Sequence, residues 1–594
     1  MKTNKNIFRL AVAVGLVGLF TGCNDSFMDR FPETSITEET FFNTVNDLEI
    51  YTNNMYGYLG GNYWDIISDN HLYVNSSSQY ELLGGNVTTE TIGRWDWTQI
   101  RNVNFMLART GNVTGDQADI NHFIGLARMY RAKLYYDKVK SYSDVPWYSR
   151  DLKTDDTELL YKTQDPRSLV VDSIMKDLDF AIANMKETGS KTKVGRNVAL
   201  ALKARIALYE ATFRKYHKEL ALNDADRFFN EAIKASEMLM DGTYSLSTEE
   251  VDGLGAYESL FCNLDLTKNP EMILVTDYDK ELGVYHNSQQ IQAYSGLSRD
   301  LMEDYLVIDG NKTKRFQDVE GYKTKTYSEI FENRDPRLKQ TFMWPGYQRA
   351  SATKPNIPSL NAGGYLQIKF DPRTADQIGW NLSYFDIPVF RYAEILLIYA
   401  EAKAEMGILT QDDLDKSINL IRDRAKMPHA SLTEWLVNID PIQKQRYPNV
   451  ESEQLGAVLE VRRERRIELA CEGFRYGDLM RWSVGKLVNP APEGMYFPGP
   501  GKYDLTGDGV NDIVIVMTKS ESESRAEEFT NEKLTVYTME GNNIEMSEGD
   551  KGYIRLKANV DAFNFIEPKY YYTPLSIFDI TDNPNLVQNK YWAD

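Results

Sequence analysis

Cysteine and histidine are scarce in this chain of 594 residues, and several chemistries are excluded with them. The three cysteines, Cys23, Cys262 and Cys471, form no CxxC pair, so neither a disulfide framework nor a thiolate metal site is written here. The five histidines, His71, His122, His217, His286 and His429, include no H-E-x-x-H, which excludes that type of zinc helix. There is no G-x-S-x-G nucleophile elbow. The one echo of a phosphate loop, Gly494 to Lys502, has Pro500 after Gly499 where lysine is needed. Positive charge is also short. The 67 Lys and Arg against 87 Asp and Glu give a net charge of −20, which argues against a nucleic-acid partner and, more weakly, against strongly anionic substrates. Long apolar runs are missing except near the start, and none reaches the ~20 residues of a spanning helix.

What is present begins at the N-terminus. Lys2, Lys5 and Arg9 precede the unbroken apolar run Leu10–Phe20, and Thr21-Gly22 are small residues before Cys23. This is the anatomy of a secretory signal. It resembles a bacterial lipoprotein signal, with Phe20 where such signals usually carry Leu, and it implies residues 1–22 as signal peptide and Cys23 as the lipidated first residue of the mature chain. A multiply acylated cysteine would hold a soluble body on a membrane surface, each buried CH₂ contributing about 0.8 kcal/mol. Asn24-Asp25-Ser26 and Asp29 form an acidic stretch like those that send lipoproteins to the outer face of an outer membrane. Without the three signal cations the remaining chain moves from −20 to −23.

The length of the mature chain suits a large core in two or three subdomains. Helical periodicity is clear in "ALALKARIALYEATF", with Ala199, Ala201, Ala204, Ala207 and Ala211, and in "RYAEILLIYAEAKAEMG", with Ala393, Ala400, Ala402 and Ala404. Small residues let helices approach closely in antiparallel pairs, and Gly407 is placed as a C′ glycine. Further helices are expected near 39–58, 97–112, 118–140, 168–186, 225–240, 414–425 and 452–482. The spacing of pairs suggests a tetratricopeptide-like array without its strict consensus. Residues 243–390 and 486–575, rich in Gly, Pro, Asn, Asp and Tyr, read as loops with short strands and helices, where binding usually sits. Aromatics make up 12% of the chain, with 37 Tyr and 9 Trp; flat rings stack on sugar faces and also make ordinary cores, so the count raises a carbohydrate hypothesis without settling it.

Five segments share a pattern: "LARMYRAKLYYDKVKSYSDVPW" (126–147), "NRDPRL" (333–338), "DIPVFRYAEILLIYAEAKAEMG" (386–407), "INLIRDRAKMP" (418–428) and "VRRERRIELACEGFRYGDLMRW" (461–482), with "PLSIFDITDNPNLVQNKYW" (574–592) at the end. In content and order they resemble the SusD/RagB family of Bacteroidetes outer-membrane lipoproteins. The resemblance implies a mostly α fold: a tetratricopeptide-like scaffold of about four helix pairs, with a packed, irregular, loop-rich part that binds the ligand. It implies an N-terminal helical part over 23–242, a loop-rich part over 243–385 and a C-terminal helical part over 386–594 with an insertion near 486–560. It also implies a lipid-anchored protein on the cell exterior that binds oligosaccharides and delivers them to a SusC-type TonB-dependent transporter, is no enzyme and requires no cofactor. A peptide-binding RagB-type member and a surface-anchored glycoside hydrolase are the alternatives. The hydrolase would need two carboxylates about 5–10 Å apart across a cleft. Glu468 and Glu472 share a helical face, but the arginines around them favour an ion network, with many i,i+3 and i,i+4 pairs. Arg334, Asp335 and Arg337 read the same way.

For the ligand site, Trp64, Asp69, Tyr80 and Trp95 lie among polar residues after the first helix, and Tyr294 and Trp344 lie in the loop-rich part. These are the regions from which the family's binding aromatics come. Trp97, on a helical pattern with Ile100 and Asn104, is read as core. A separate signal is "DLTGDGVND". Asp504, Thr506, Asp508 and Asp512 stand at positions 1, 3, 5 and 9 of a calcium loop, with Gly509 at the sixth and the Val510 carbonyl at the seventh. Ile515 replaces the bidentate Glu at the twelfth. The segment reads equally as a structural Ca²⁺ loop or as a hairpin turn leading into "IVIVM".

Overall fold

The structure, a computed structural model, describes residues 41–73, 84–251, 253–291, 295–350 and 352–593. Six helices dominate its first half: α1 Val45–Asn53, α2 Thr98–Leu107, α3 Gln117–Tyr142, α4 Arg167–Asn184, α5 Arg196–Tyr216 and α6 Ala225–Leu239. Local chemistry starts them. Thr44 and Asp47 form a capping box at α1, and Asp116 accepts from Ala118 and Asp119 at α3. The first helix is shorter than the expected 39–58, because Phe42 sits at φ 66° before the cap and the chain tightens into a 3₁₀ turn at Tyr56–Tyr58. α3 pairs with α4 and α5 with α6. Ala199, Ala201, Ala204, Ala207 and Ala211 of α5 are fully buried, as the close-packing pattern requires.

After α7, Arg299–Asp304, come α8 Tyr392–Glu405, α9 Ile418–Arg424, α10 Leu455–Glu468, α11 Arg475–Arg481 and α12 Ile577–Asp582. α8 packs against α5, α6 and α10 and is buried on nearly every side. It ends in a Schellman motif: Ile408 N–H donates to the Lys403 carbonyl at 3.0 Å and Gly407 N–H to the Ala404 carbonyl at 3.0 Å, with Gly407 at φ 72°. The single helix expected over 452–482 is two, because Cys471 at φ 66° and Gly473 at φ 82° turn the chain between α10 and α11. The whole is a mostly helical, tetratricopeptide-like scaffold.

The strands are short. β1 His71–Tyr73, β2 Met272–Thr276, β3 Ser295–Leu297 and β4 Ile387–Arg391 form two antiparallel ribbons, β1 with β3 and β2 with β4. Farther on, β5 Tyr496–Phe497, β6 Gly501–Tyr503, β7 Ile513–Val516, β8 Thr535–Thr538, β9 Ile544–Met546 and β10 Gly552–Leu556 make two three-stranded sheets, ordered β8-β7-β6 and β9-β10-β5. The helical scaffold and the loop-rich part have separate apolar cores.

Buried charge joins these cores. Glu468 accepts from Arg391 at 2.6 Å, from Arg337 at 3.1 Å and from Arg424. Glu464 holds Arg337 and Arg422, and Arg462 holds Glu405. Arg466 reaches Asp69, Asp300 and Asp304. The expected ion network is present, but most of its pairs leave the helix. Within α10 and α11 the close pairs are Arg463–Glu460 and Arg481–Asp478, Arg465 bridges the two helices to Asp478 at 2.9 Å, and most other charges bind distant segments. The reason is burial: no surface face remains on which α10 could pair with itself. Neighbouring guanidinium groups keep Glu468 and Glu472 ionised against the desolvation that opposes them. Arg334 instead gives its donors to the carbonyls of Met302, Tyr305 and Ile330, and burial lowers its pKa to about 9.

Candidate functional site

The segment that carries Trp64 is set by close approach. A Cβ on Gly61 would lie 2.5 Å from both Ile387 Cγ2 and the Pro388 carbonyl, so the chain crosses β4 there only as glycine. Asn62 Oδ1 then accepts from Tyr63 N–H at 2.8 Å. Buried Asp65 accepts from Cys471 N–H at 2.6 Å and Gly473 N–H at 2.8 Å, pinning the segment to the α10–α11 turn. Trp64 is left half-buried against the cluster of Tyr257, Ile291, Phe370 and Phe385.

From Tyr63 a continuous chain of contacts runs through the loop-rich part. The Tyr63 ring lies 5.9 Å from His286, which meets Tyr278 and Phe385 edge-on at 4.5 Å each. His286 Nε2 lies 3.0 Å from the Phe385 carbonyl, and Nδ1 is 3.3 Å from Ser288 N–H. Those partners require a neutral ring protonated on Nε2, and desolvation depresses its pKa to about 4. Three residues on, the Gln289 carbonyl accepts from Arg349 Nη2 at 3.0 Å. Arg349 also pairs with buried Asp371 at 2.7 Å, Tyr347 donates to Asp371 at 2.7 Å, and Arg373 donates to the Tyr347 hydroxyl at 2.6 Å. The Trp344 carbonyl accepts from Tyr347 N–H at 3.0 Å, and its half-buried ring closes the row beside Met343 and Leu366. Among the described residues, Gln290 Nε2, Arg349 Nε, Gln367 Oε1 and Arg373 Nε have no hydrogen-bond partner; all four atoms are sealed from solvent, so they are orphaned interior groups and not groups presented to a ligand.

Trp64 and Trp344 are thus linked through a chain of mostly buried contacts, each on its own apolar cluster. Tyr80 and Tyr294 lie outside the described residues, as does Cys23.

Two expected residues go elsewhere. Both carboxylate oxygens of Asp69 are taken by Arg475 at 2.7 Å, with Arg466 at 3.2 Å. Their charges hold its pKa at about 2 against desolvation. Asp69 is therefore a structural acid in a groove of about 920 Å³, not a hydroxyl acceptor on the aromatic face. Trp95 is tied by its backbone N–H to Asp579 of α12 at 3.0 Å and lines a cavity of about 380 Å³ on the helical side with Trp97, Tyr148 and Leu160. Trp97 packs on the main core, as read from the sequence, and also walls that cavity.

The 504–512 segment joins β6 to β7 as an antiparallel hairpin, so the turn reading holds for the backbone. Its carboxylates fold onto its own amides. Asp504 accepts from Gly507 at 2.6 Å and Gly509 at 2.8 Å, Asp508 from Val510 at 2.9 Å, and Asp512 from Leu505 and Thr506 at 2.8 Å each. Among the described residues no group of three or more His, Cys, Asp or Glu is arranged to hold a metal ion, so Asp504, Asp508 and Asp512 are not gathered as a ligand set. The hairpin instead rests on Pro345, beside Trp344.

Trp380, not singled out in the sequence, stands at 66% exposure. A Trp between Gly379 and Asn381, both turn formers, was the signal available.

Known proteins share this architecture. The SusD family model matches residues 268–592. The SusD-like protein P38 of Formosa agariphila is 24% identical over 510 residues, 81% of this chain and 92% of its own. A SusD-like carbohydrate-binding protein of Bacteroides fragilis superimposes with a TM-score of 0.66 at 20% identity, covering 92% of this chain and all of that one. A laminarin-binding SusD-like protein does so at 0.53 and 17%, with the same coverage. The match over more than half the chain, on a helical scaffold carrying a loop-rich aromatic face, shows that this chain belongs to the SusD family.

Proposed function

We propose that the chain captures oligosaccharides on the face from Tyr63 to Trp344 and hands them to a SusC-type TonB-dependent outer-membrane transporter, breaking no bond. The observation that carries this is the set of half-buried rings, Tyr63, Trp64 and Trp344, each packed on an apolar cluster with part of the ring open to solvent. Pyranose rings present apolar faces that stack on such aromatics. The similar proteins described as carbohydrate-binding and laminarin-binding support the same ligand class. A non-catalytic role fits Glu468 and Glu472. Both are buried among arginines and held ionised, so neither offers the proton a glycosidase acid must give. The Cys23 signal supports a lipid anchor facing the cell exterior, and no helix among the described residues is long and apolar enough to cross a membrane.

The test is affinity electrophoresis of the full-length protein in a non-sugar detergent, through gels containing laminarin, starch, xylan, pectin or mannan. Retardation by one glycan, lost in Trp64→Ala and Trp344→Ala, supports the reading; no retardation by any refutes it for these glycans. The groove of about 920 Å³ favours a second reading, peptide capture. Lys323, Lys551, Asp300 and Glu548 line it with both signs of charge beside Tyr322 and Tyr553, which suits a zwitterionic chain. Heat released by a mixed peptide pool in calorimetry, with no glycan retarding the protein, would favour it.

A further inference from the structure

All nine tryptophans lie among the described residues, and Trp380 alone is exposed. The exposure is built rather than incidental. Gly379 to Leu382 is a tight turn, closed by Leu382 N–H on the Gly379 carbonyl at 3.2 Å, with Asn381 in the left-handed region at φ 52°. Asn tolerates that conformation, which puts Trp380 at the apex. The turn is anchored on both sides. Asn381 N–H donates to Asn287 Oδ1 at 2.9 Å, and His286 N–H donates to the Ser383 carbonyl at 2.8 Å. Below it Asp376 accepts from Lys280 at 2.6 Å and from the Tyr384 hydroxyl at 2.9 Å. A large flat ring is thus fixed in solvent on a loop whose backbone freedom is already spent, so a ligand that covers it meets little ordering cost.

We infer that Trp380 is the stacking platform of an outer sugar subsite, taking a pyranose ring beyond those held between Trp64 and Trp344. Three observations carry this. The turn is tied to the 286–289 segment that also contacts Tyr63 and Arg349, since Asn381 binds Asn287, the His286 ring lies 5.9 Å from Tyr63 and the Gln289 carbonyl binds Arg349. The amide groups of Asn287 and Asn381 beside it suit hydroxyls. The Tyr285 and Tyr384 rings, 6.4 Å apart, extend the aromatic surface along the same edge. The inference rests on the sugar-capture reading and adds to it the length of the ligand: the face recognises a chain, with one end on Trp380.

An outer subsite weakens long ligands and spares short ones. The test takes whichever of laminarin, starch, xylan, pectin or mannan retards the wild-type protein, digests it to a ladder of oligosaccharides, and measures each length by calorimetry on wild type, Trp380→Ala, Trp380→Phe and Trp64→Ala. We expect Trp380→Ala to weaken the long oligosaccharides about three- to tenfold while leaving the shortest that bind unchanged. Trp380→Phe should recover much of the loss, and Trp64→Ala should weaken every length. Equal affinities of Trp380→Ala and wild type at all lengths would overturn the subsite while leaving the capture reading intact. Equal weakening at all lengths would move Trp380 into the main site and also overturn it. If no glycan retards the wild type, the capture reading fails and the subsite with it. Matching circular dichroism and melting temperature would show that the exposed substitution leaves the fold unchanged.

Discussion

Removing the Glu468 carboxylate should destabilise this protein more than any change to a surface ion pair. The side chain is fully buried and binds Arg391, Arg337 and Arg424. Hydrogen bonds to charged groups contribute about 1.5–3 kcal/mol each, so three of them set an upper figure near 5–9 kcal/mol. The arginines are not stranded by the change. Arg391 keeps Glu472 at 2.7 Å and Glu271 at 3.0 Å, Arg424 keeps Glu271 at 2.9 Å, and Arg337 keeps Asp335 at 2.7 Å and Glu464 at 3.0 Å. The expected cost of Glu468→Ala therefore falls to about 3–5 kcal/mol, the range for breaking a buried pair. Glu468→Gln separates charge from cavity: it fills the space but turns an NH₂ toward guanidinium donors, and it should cost nearly as much. The exposed pair Lys312–Glu434, at 3.0 Å, is the control, and Glu434→Ala should cost under about 0.5 kcal/mol. Urea unfolding followed by tryptophan fluorescence measures all three. In 1 M salt the control should fall to nothing while the Glu468 effect persists, because burial excludes counter-ions. A Glu468→Ala cost under about 1 kcal/mol, or one that salt removes, would refute the argument that this network joins the cores.

Acid should weaken the fold over a defined window. The pKa of Asp69 and of Glu405 is about 2, set by arginine and lysine neighbours, against ordinary values of 3.8 and 4.5. Their stabilisation is complete above about pH 5 and is lost as pH falls toward 2, so urea midpoints should drop across that range, and less steeply in Glu405→Gln than in wild type. His286 acts earlier: its pKa of about 4 lies below the ordinary 6.5, so stability should already decline from pH 6.5 toward 4, measured by melting temperature. Cys262 and Cys471 are buried free thiols, and burial pushes Cys262 up to about 12. Neither should react with a disulfide reagent in the native protein, and both should react in urea. A Cβ at Gly296 would lie 1.7 Å from the Ala362 carbonyl, so Gly296→Ala must part β3 from its neighbour. It should lower the melting temperature and weaken glycan binding more than Gly407→Ala, whose position is open.

What the sequence determined by itself is what neighbouring residues decide. The signal-like start, the alanine-rich faces of α5 and α8, the Gly407 stop and the hairpin at 504–512 each depend on residues a few positions apart. The family motifs were legible for a related reason: each is contiguous, and 333–338, 386–407 and 418–428 carry the charges that bind α10. Only the tertiary structure decided which charges meet. Arg466 binds Asp69 across 397 positions, so an acid that reads as a ligand for hydroxyls becomes a structural anion. It also decided how the aromatics are connected. Tyr63 and Trp64 join Trp344 through His286, Gln289 and Arg349, while Trp95 is drawn to α12. A side chain's partners across such separations are set by how helices and ribbons pack, and periodicity along the chain carries no record of that packing. Trp380 shows the same limit: its turn was written in Gly379 and Asn381, but its exposure beside the aromatic face exists only once Asn287 is there to hold it.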